Sequence, residues 1–353
     1  MWAGKSVCVE FGLRRAQGPN GAMIASKYSY LGGFVGTSNV YSSYLTGSPC
    51  LGTLAHSLIM SFEKEDDIKD SRVLDGTDLL VEALKYREKL GWTGTNLGEL
   101  YAFISFAASY PKDFSSLVDT YSTINSGIKN FLVVACVLKD LGYQAKGIRL
   151  DSGDLAQLSK DCRKHMKETG ERLGEQYDFS KCQIVASNDI NEKTLKSLVE
   201  DNHDIDAFGI GTNLVTCQAQ PALGMVYKVV EFQGTPRLKF SEEVGKITLP
   251  GPKTVLRVFK EEGVPAFDLL CTDAEADVLL KNESEFKYYL KKDLESASAT
   301  MKAHSIEKKT QLLFENGKRA YEPAALPDRR KGVLGKLEQF GGKDKLILSE
   351  EKY

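Results

Sequence analysis

The chain has 353 residues, 42% hydrophobic and 27% charged, a balance that predicts a soluble globular protein large enough for more than one domain and speaks against a disordered chain. With 46 basic and 48 acidic side chains the formal net charge is -2, so no bulk field draws it to nucleic acid or to an acidic membrane surface. Seven cysteines, Cys8, Cys50, Cys136, Cys162, Cys182, Cys217 and Cys271, form no C-x-x-C pair and are odd in number, which reads as reduced thiols in the cytosol.

The opening MWAGKSVCVE is not a signal peptide, because no basic stretch is followed by an apolar one and a small-residue cleavage site. Next comes EFGLRRAQGPNG, in which Arg14 and Arg15 follow an apolar strand end and a glycine. They are either a surface pair or a guanidinium aimed into a site. GTLAHS places Thr53, His56 and Ser57 after a glycine with no charged neighbour. A histidine in such a run is either packed in the core or, among small hydroxyl residues, a nucleophile toward phosphate.

From about residue 100 to 232 short β-branched runs alternate with longer helical patterns, the signature of βαβ units. Strands are expected at Ser116–Tyr121, Ala145–Leu150, Cys182–Ser187 and Ile205–Ile210, and helices at Ile128–Leu141, Asp154–Arg172 and Asn191–Asp201. The longest apolar run, Phe131–Leu138, falls far short of the ~20 residues of a membrane helix. Each strand ends in a polar cluster: VDTY, RLDSGD, SNDINE and GIGTNLVT. Polar chemistry repeated at strand ends favours a barrel or a related parallel sheet.

Within GIRLDSGDL, Arg149, Asp151, Ser152 and Asp154 combine a planar anion fork with two carboxylates, a mix that suits an anionic substrate together with its magnesium. Asp151 or Ser152 also reads as the N-cap of the following helix, and the two roles are compatible. Asn188 and Asp189 close the next strand, and Gly209, Gly211, Thr212 and Thr216 form a turn able to cradle phosphate. After residue 232, LKFSEEVGKITLPGPKTVLRVF reads as a hairpin turning in KITLPGPK, then a strand and a charged helical tract, and LEQFGGKDKLILSEEKY reads as a mobile tail. The expected domains are 1–235, barrel-like, and 236–353, smaller and α+β.

The ordered segments EFGLRRAQGPNG, YLGGFVGTSNV, GTLAHS, IRLDSGDL, VASNDINE, FGIGTNLVT and LKFSEEVGKITLPGPK resemble the nicotinate phosphoribosyltransferase family over roughly residues 9–260. The resemblance implies an α/β fold, the incomplete α/β barrel of type II phosphoribosyltransferases with a smaller α+β domain, working as a homodimer in the cytosol. It further implies synthesis of nicotinate mononucleotide and pyrophosphate from nicotinate and phosphoribosyl pyrophosphate, on the way to NAD, with ATP and Mg2+ taking part.

By the same resemblance His56 is the histidine that ATP phosphorylates, Thr53 and Arg149 hold nicotinate with Ser57 beside them, and Arg14 supplies a second cation. Asp151 steadies the positive sugar carbon or the ribose hydroxyls and is the candidate metal ligand. Asn188, Gly211 and Thr212 take phosphoribosyl pyrophosphate. Nicotinamide-using relatives carry an aspartate where this chain has Ser38, and an aspartate repels a carboxylate, so Ser38 favours nicotinate. Members of the family begin with a long segment before the EFGLRR strand, including an aromatic residue that stacks on the partner's nicotinate; here about ten residues precede it. Two other expectations stand beside the enzyme: a silent, shortened form that binds full-length subunits, and a nicotinamide-using phosphoribosyltransferase.

Overall fold

The computed structural model describes residues 3–221, 228–238, 248–281, 285–289 and 298–339. The chain divides into two compact units, Met1–Pro221 and Ala222–Tyr353, a division that falls ahead of the expected boundary at 235.

The first unit is built on β1 (Val7–Glu10), α1 (Gly18–Leu31), β2 (Gly36–Thr37), α2 (Val40–Thr46) and a one-turn α3 (His56–Ile59). A small hairpin of β3 (Val73–Leu74) and β4 (Thr77–Asp78) leads into α4 (Leu79–Lys89) and α5 (Leu97–Ser109). The remainder alternates strand and helix: β5 (Ser115–Leu117), α6 (Ile128–Asp140), β6 (Gly147–Leu150), α7 (Leu155–Leu173), β7 (Gln183–Ala186), α8 (Glu192–Glu200), β8 (Ala207–Ile210) and α9 (Thr212–Thr216). Six of the strands form one sheet in the order β2-β1-β8-β7-β6-β5, and every pairing in it is parallel. Among the described residues the sheet does not close: β5 is one edge, and beyond β2 it continues only as a single parallel bridge of Thr37 with Cys50, the form of an incomplete α/β barrel.

Because the strands are parallel, their C-terminal ends share one rim, and the polar clusters that follow them are gathered there. The helices between them are the long crossovers that parallel pairing requires. Residues Phe131–Leu138 of α6 are no more than 2% exposed, so the apolar run is the buried spine of a crossover helix. Phe131 stacks on Phe114 with ring centroids 5.4 Å apart. Gly127, in the π-helical turn before α6, lets that turn close on the end of β5: a Cβ there would lie 1.8 Å from the Val118 carbonyl oxygen.

The observed strands are shorter than expected. After Val118, whose N–H still reaches the Arg149 carbonyl at 3.2 Å, Asp119–Tyr121 leaves the ladder, since the chain enters the π-helical turn two residues later. The cap of α7 also differs from expectation: Asp154, not Asp151 or Ser152, accepts from the Gln157 N–H at 3.0 Å. An N-cap carboxylate must sit immediately before the first helical turn, and Asp154 does so, which leaves Asp151 to face the rim. All seven cysteines are free.

In the second unit β9 (Glu231–Phe232) pairs with β10 (Thr235–Pro236), and β11 (Thr254–Glu261) pairs antiparallel with both β12 (Val264–Cys271) and β15 (Ser305–Lys308). Helix α10 (Asp273–Lys281) packs beside this sheet, with the pairs β13 (Phe286–Tyr289) and β14 (Ser298–Met301), and β16 (Phe314–Glu315) and β17 (Lys318–Arg319), before α11 (Leu326–Gln339). Of the hairpin expected within 238–259, residues 239–247, which hold most of its first arm, lie outside the described residues. Its second arm is β11, whose described partners are β15 and, across a turn at Glu262 and Gly263, β12. Of the expected tail, Leu337–Gln339 closes α11, and 340–353 lie outside the described residues. No described helix is long and apolar enough to cross a membrane.

Candidate active site

A cleft of about 670 Å³ opens at the rim of the first unit. Its walls come from the loops after β1, β2, β6, β7 and β8 and from the strand-like approach to α3. Nine of the ten residues expected at the site line it: Arg14, Ser38, Thr53, His56, Arg149, Asp151, Asn188, Gly211 and Thr212. Ser57 does not; it is exposed on the first turn of α3, because one residue of helical advance turns it away from the direction of His56.

Arg149 leaves β6 with its guanidinium held on three sides. Nε donates to the Ser187 hydroxyl at 2.9 Å, Nη1 to the Thr53 hydroxyl at 3.0 Å and Nη2 to Asp151 Oδ1 at 2.8 Å. The Phe11 ring lies 5.4 Å from the guanidinium carbon. Phe11 approaches β8 closely only because residue 209 is glycine; a Cβ there would lie 2.4 Å from the ring. A planar cation fixed in this way against an aromatic face suits a flat, anionic ligand better than a mobile lysine would.

His56 faces two carboxylates. Its Nε2 is 3.7 Å from Asp151 Oδ2 and 3.9 Å from Asp119 Oδ1, and its Nδ1 is 3.0 Å from the Thr120 hydroxyl. The Thr120 contact fixes the ring, and Nε2 points to the acidic side of the cleft. Burial pushes the Asp151 carboxyl up, but the Ser187 hydroxyl, Arg149 and His56 together outweigh it and hold the group below its usual value. Asp151 is therefore an anion wherever the protein is near neutral pH.

Asp119 belongs to VDTY, a polar strand end in the sequence, but nothing in that segment marks it as a site residue. Its Oδ2 accepts the Asp151 N–H at 2.7 Å and the Ser152 hydroxyl at 2.6 Å, while Oδ1 is buried with no hydrogen-bond partner among the described residues. The same holds for Thr120 and Ser187. The only signal the three share is their place one to three residues beyond a strand.

Arg15 donates to the Thr212 hydroxyl, joining the β1 turn to the β8 turn across the cleft. Arg14 lines the cleft beside it and is exposed. After β7, Asn188 and Asp189 take φ of 90° and 48°, two successive left-handed residues in the loop that lines the cleft.

Residues 7–295 match the model of the Nicotinate phosphoribosyltransferase (NAPRTase) family. The chain belongs to the nicotinate phosphoribosyltransferase family. Residues 252–353 match the Nicotinate phosphoribosyltransferase C-terminal domain, so the likeness reaches well past the last of the recognised motifs. The nicotinate phosphoribosyltransferase of Dictyostelium discoideum is 49% identical over 336 residues, covering 92% of this chain and 56% of that protein. The Homo sapiens protein of the same name is 42% identical over 274 residues, covering 74% of this chain and 51% of its own length. The chain thus spans about half the length of the curated relatives it matches. The crystal structure of human Nicotinic Acid Phosphoribosyltransferase superposes with a TM-score of 0.80 at 32% identity, covering 96% of this chain and 66% of that one.

Proposed function

We propose that the cleft is a nicotinate phosphoribosyltransferase site, joining nicotinate to the ribosyl carbon of phosphoribosyl pyrophosphate and releasing pyrophosphate, a step of NAD synthesis. The observation that carries this reading is the Arg149 fork, held by Thr53, Ser187 and Asp151 against Phe11 within the cavity that also contains His56. Nicotinate is flat and carries one carboxylate, so it can lie along Phe11 with its carboxylate toward Arg149. Ser38, on the same wall, places no negative charge where that carboxylate would lie.

The Arg14, Arg15 and Thr212 side of the cleft is the candidate cradle for phosphate groups, with Gly211 and Asn188 beside it. Asp151, paired with Arg149 and lining the same cleft, is the group whose charge can stabilise the sugar carbon as the bond to pyrophosphate lengthens.

No group of three or more His, Cys, Asp or Glu able to cage a metal occurs among the described residues. Magnesium carried on phosphates needs only one or two protein carboxylates, and the unpartnered Asp119 Oδ1 together with Asp151 Oδ2, both beside His56, fits that demand. Bound there, magnesium would offset the charge of the departing pyrophosphate.

His56, with one nitrogen fixed by Thr120 and the other turned toward Asp151 and Asp119, is the proposed acceptor of a phosphoryl group from ATP, which would couple ATP hydrolysis to synthesis. We also place the working protein in the cytosol as a homodimer. The exposure of Val40, Tyr41, Tyr44 and Leu45 on α2, at 55% to 83%, supports a covered face there.

Incubation with labelled ATP and mapping of acid-labile phosphate tests the reading. Label on His56, lost in His56→Ala, is the expected result, and a folded chain that takes no label while turning over nicotinate would remove His56 from the reaction.

A further inference from the structure

A carboxylate lies buried beneath the arginine turn. Glu10, the last residue of β1, is 1% exposed and accepts hydrogen bonds from neutral donors on three different elements. Oε1 takes the Gly12 N–H, and Oε2 takes the hydroxyls of Thr37, at the end of β2, and of Ser26, on α1, the latter at 2.7 Å. Taking a carboxyl group out of water is unfavourable, and neutral donors offset that less completely than a cation does. A leucine would pack the same space, so the presence of a carboxylate calls for a role beyond filling volume.

Two of the three donors, Gly12 and Thr37, lead to the cleft, and Ser26 braces Thr37 and Asn39 from α1. Gly12 starts the 3-10 turn Leu13–Arg15, and its carbonyl accepts the Arg15 N–H at 2.9 Å, so fixing Gly12 fixes the turn that carries Arg14 and Arg15. The Thr37 hydroxyl also accepts the Asn39 N–H at 2.9 Å, and the Glu10 carbonyl accepts the Ser38 N–H at 2.9 Å. Ser38 is therefore held on both sides by bonds that run back to Glu10. Asn39 continues the chain, giving its side-chain N–H to Ser26 at 3.2 Å and capping α2 through the Ser42 N–H.

We propose that Glu10 is a positioning residue that sets the Arg14–Arg15 turn and the Ser38 loop as one rigid wall, so that the phosphate-facing cations and the residue that meets the nicotinate carboxylate keep a fixed spacing. Glu10 touches neither ligand and acts through Gly12 and Thr37. This inference rests on the phosphoribosyltransferase reading of the cleft.

Titration of the parent chain with phosphoribosyl pyrophosphate and with nicotinate, beside Glu10→Gln, Thr37→Val and Thr37→Ser, tests it, with thermal unfolding of each. Glu10→Gln keeps the shape but brings an N–H against donors, and Thr37→Val keeps the shape but removes the hydroxyl; each is expected to weaken phosphoribosyl pyrophosphate binding about tenfold. Thr37→Ser restores the hydroxyl and is expected to stay within about twofold of the parent. A merely structural residue would lower the unfolding temperature without separating the serine from the valine variant in affinity. Glu10→Gln or Thr37→Val binding as tightly as the parent overturns the inference, and so does Thr37→Ser binding as weakly as Thr37→Val. If Glu10→Gln does not fold, the two threonine variants still decide. A parent chain that binds neither ligand removes the functional reading itself, and this inference with it.

Discussion

Two carboxylates on either side of Asp119 have opposite fates. Asp151, in the cleft, is half-buried and is held below its usual value, because hydroxyl and cationic partners outweigh its burial. Glu99, on α5 behind the rim, is fully buried and is pushed up to about 7: burial raises it, the Ser126 hydroxyl and the Asn130 amide only partly oppose this, and the Asp119 charge raises it further. Both groups accept good hydrogen bonds; Glu99 Oε2 takes the Asn130 amide at 2.9 Å. What separates them is depth and company: Glu99 is more deeply buried with Oε1 unpartnered among the described residues, while the Ser187 hydroxyl and two cations together hold Asp151 ionised. Arg149 and His56 face one, and only neutral donors reach the other. The front of the site is built to keep charge, and the nest behind it to disfavour charge.

The comparison breaks most severely if its cation is altered. Arg149→Lys keeps the charge but cannot reach Ser187, Thr53 and Asp151 together, and it leaves polar partners unpaired beside the ligand. The expected loss in kcat/KM for nicotinate is roughly three orders of magnitude, about 4 kcal/mol. Kinetics that stay near those of the parent would show that the fork is not what grips the carboxylate.

The next largest effect lies in the nest. A carboxyl with a raised value in the folded state stabilises the fold below its ordinary unfolded value, and that contribution is lost as pH rises toward 7. The loss for Glu99 is on the order of 3 kcal/mol. Glu99→Gln keeps an acceptor for Ser126 and Asn130 and cannot ionise, so its stability should fall less than the parent's between pH 5 and pH 8. Denaturant titrations across that interval measure the difference, and parallel curves for the two chains would place the ionisation elsewhere.

Much of the first unit was legible because apolar runs that end in polar clusters carry both the strand and its direction. The helices after β5, β6 and β7 fall within about a residue of expectation for that reason. Asp119, Ser187, Glu10 and Glu99 were not legible as a system. Each looks ordinary in its own segment, and its importance arises from groups far away in sequence, as when Glu99 meets Ser126 and Asn130 or Glu10 meets Thr37. The N-cap of α7 was misread for a local reason: Asp151, Ser152 and Asp154 are all good caps, and only the position of the first helical turn selects Asp154. The second unit was the least legible, since short antiparallel pairs leave little periodicity to read.

The smallest expected effect sharpens the front half of the comparison. Ser187 donates to Asp151 Oδ1 and accepts from Arg149 Nε, so it sits between the ion-paired partners without carrying charge. Ser187→Ala removes the largest influence that opposes burial of Asp151 but leaves Arg149 and His56 in place, so the Asp151 carboxyl should rise toward its usual value without becoming neutral at neutral pH. A depressed carboxyl contributes stability above its unfolded value that disappears as pH falls through the folded one. The variant should therefore lose less stability than the parent on acidification, and the acid limb of its kcat profile should move to higher pH, while rates at pH 8 change little. An acid limb that does not move would mean that the two cations alone hold Asp151 ionised, and that the hydroxyl serves to orient Arg149.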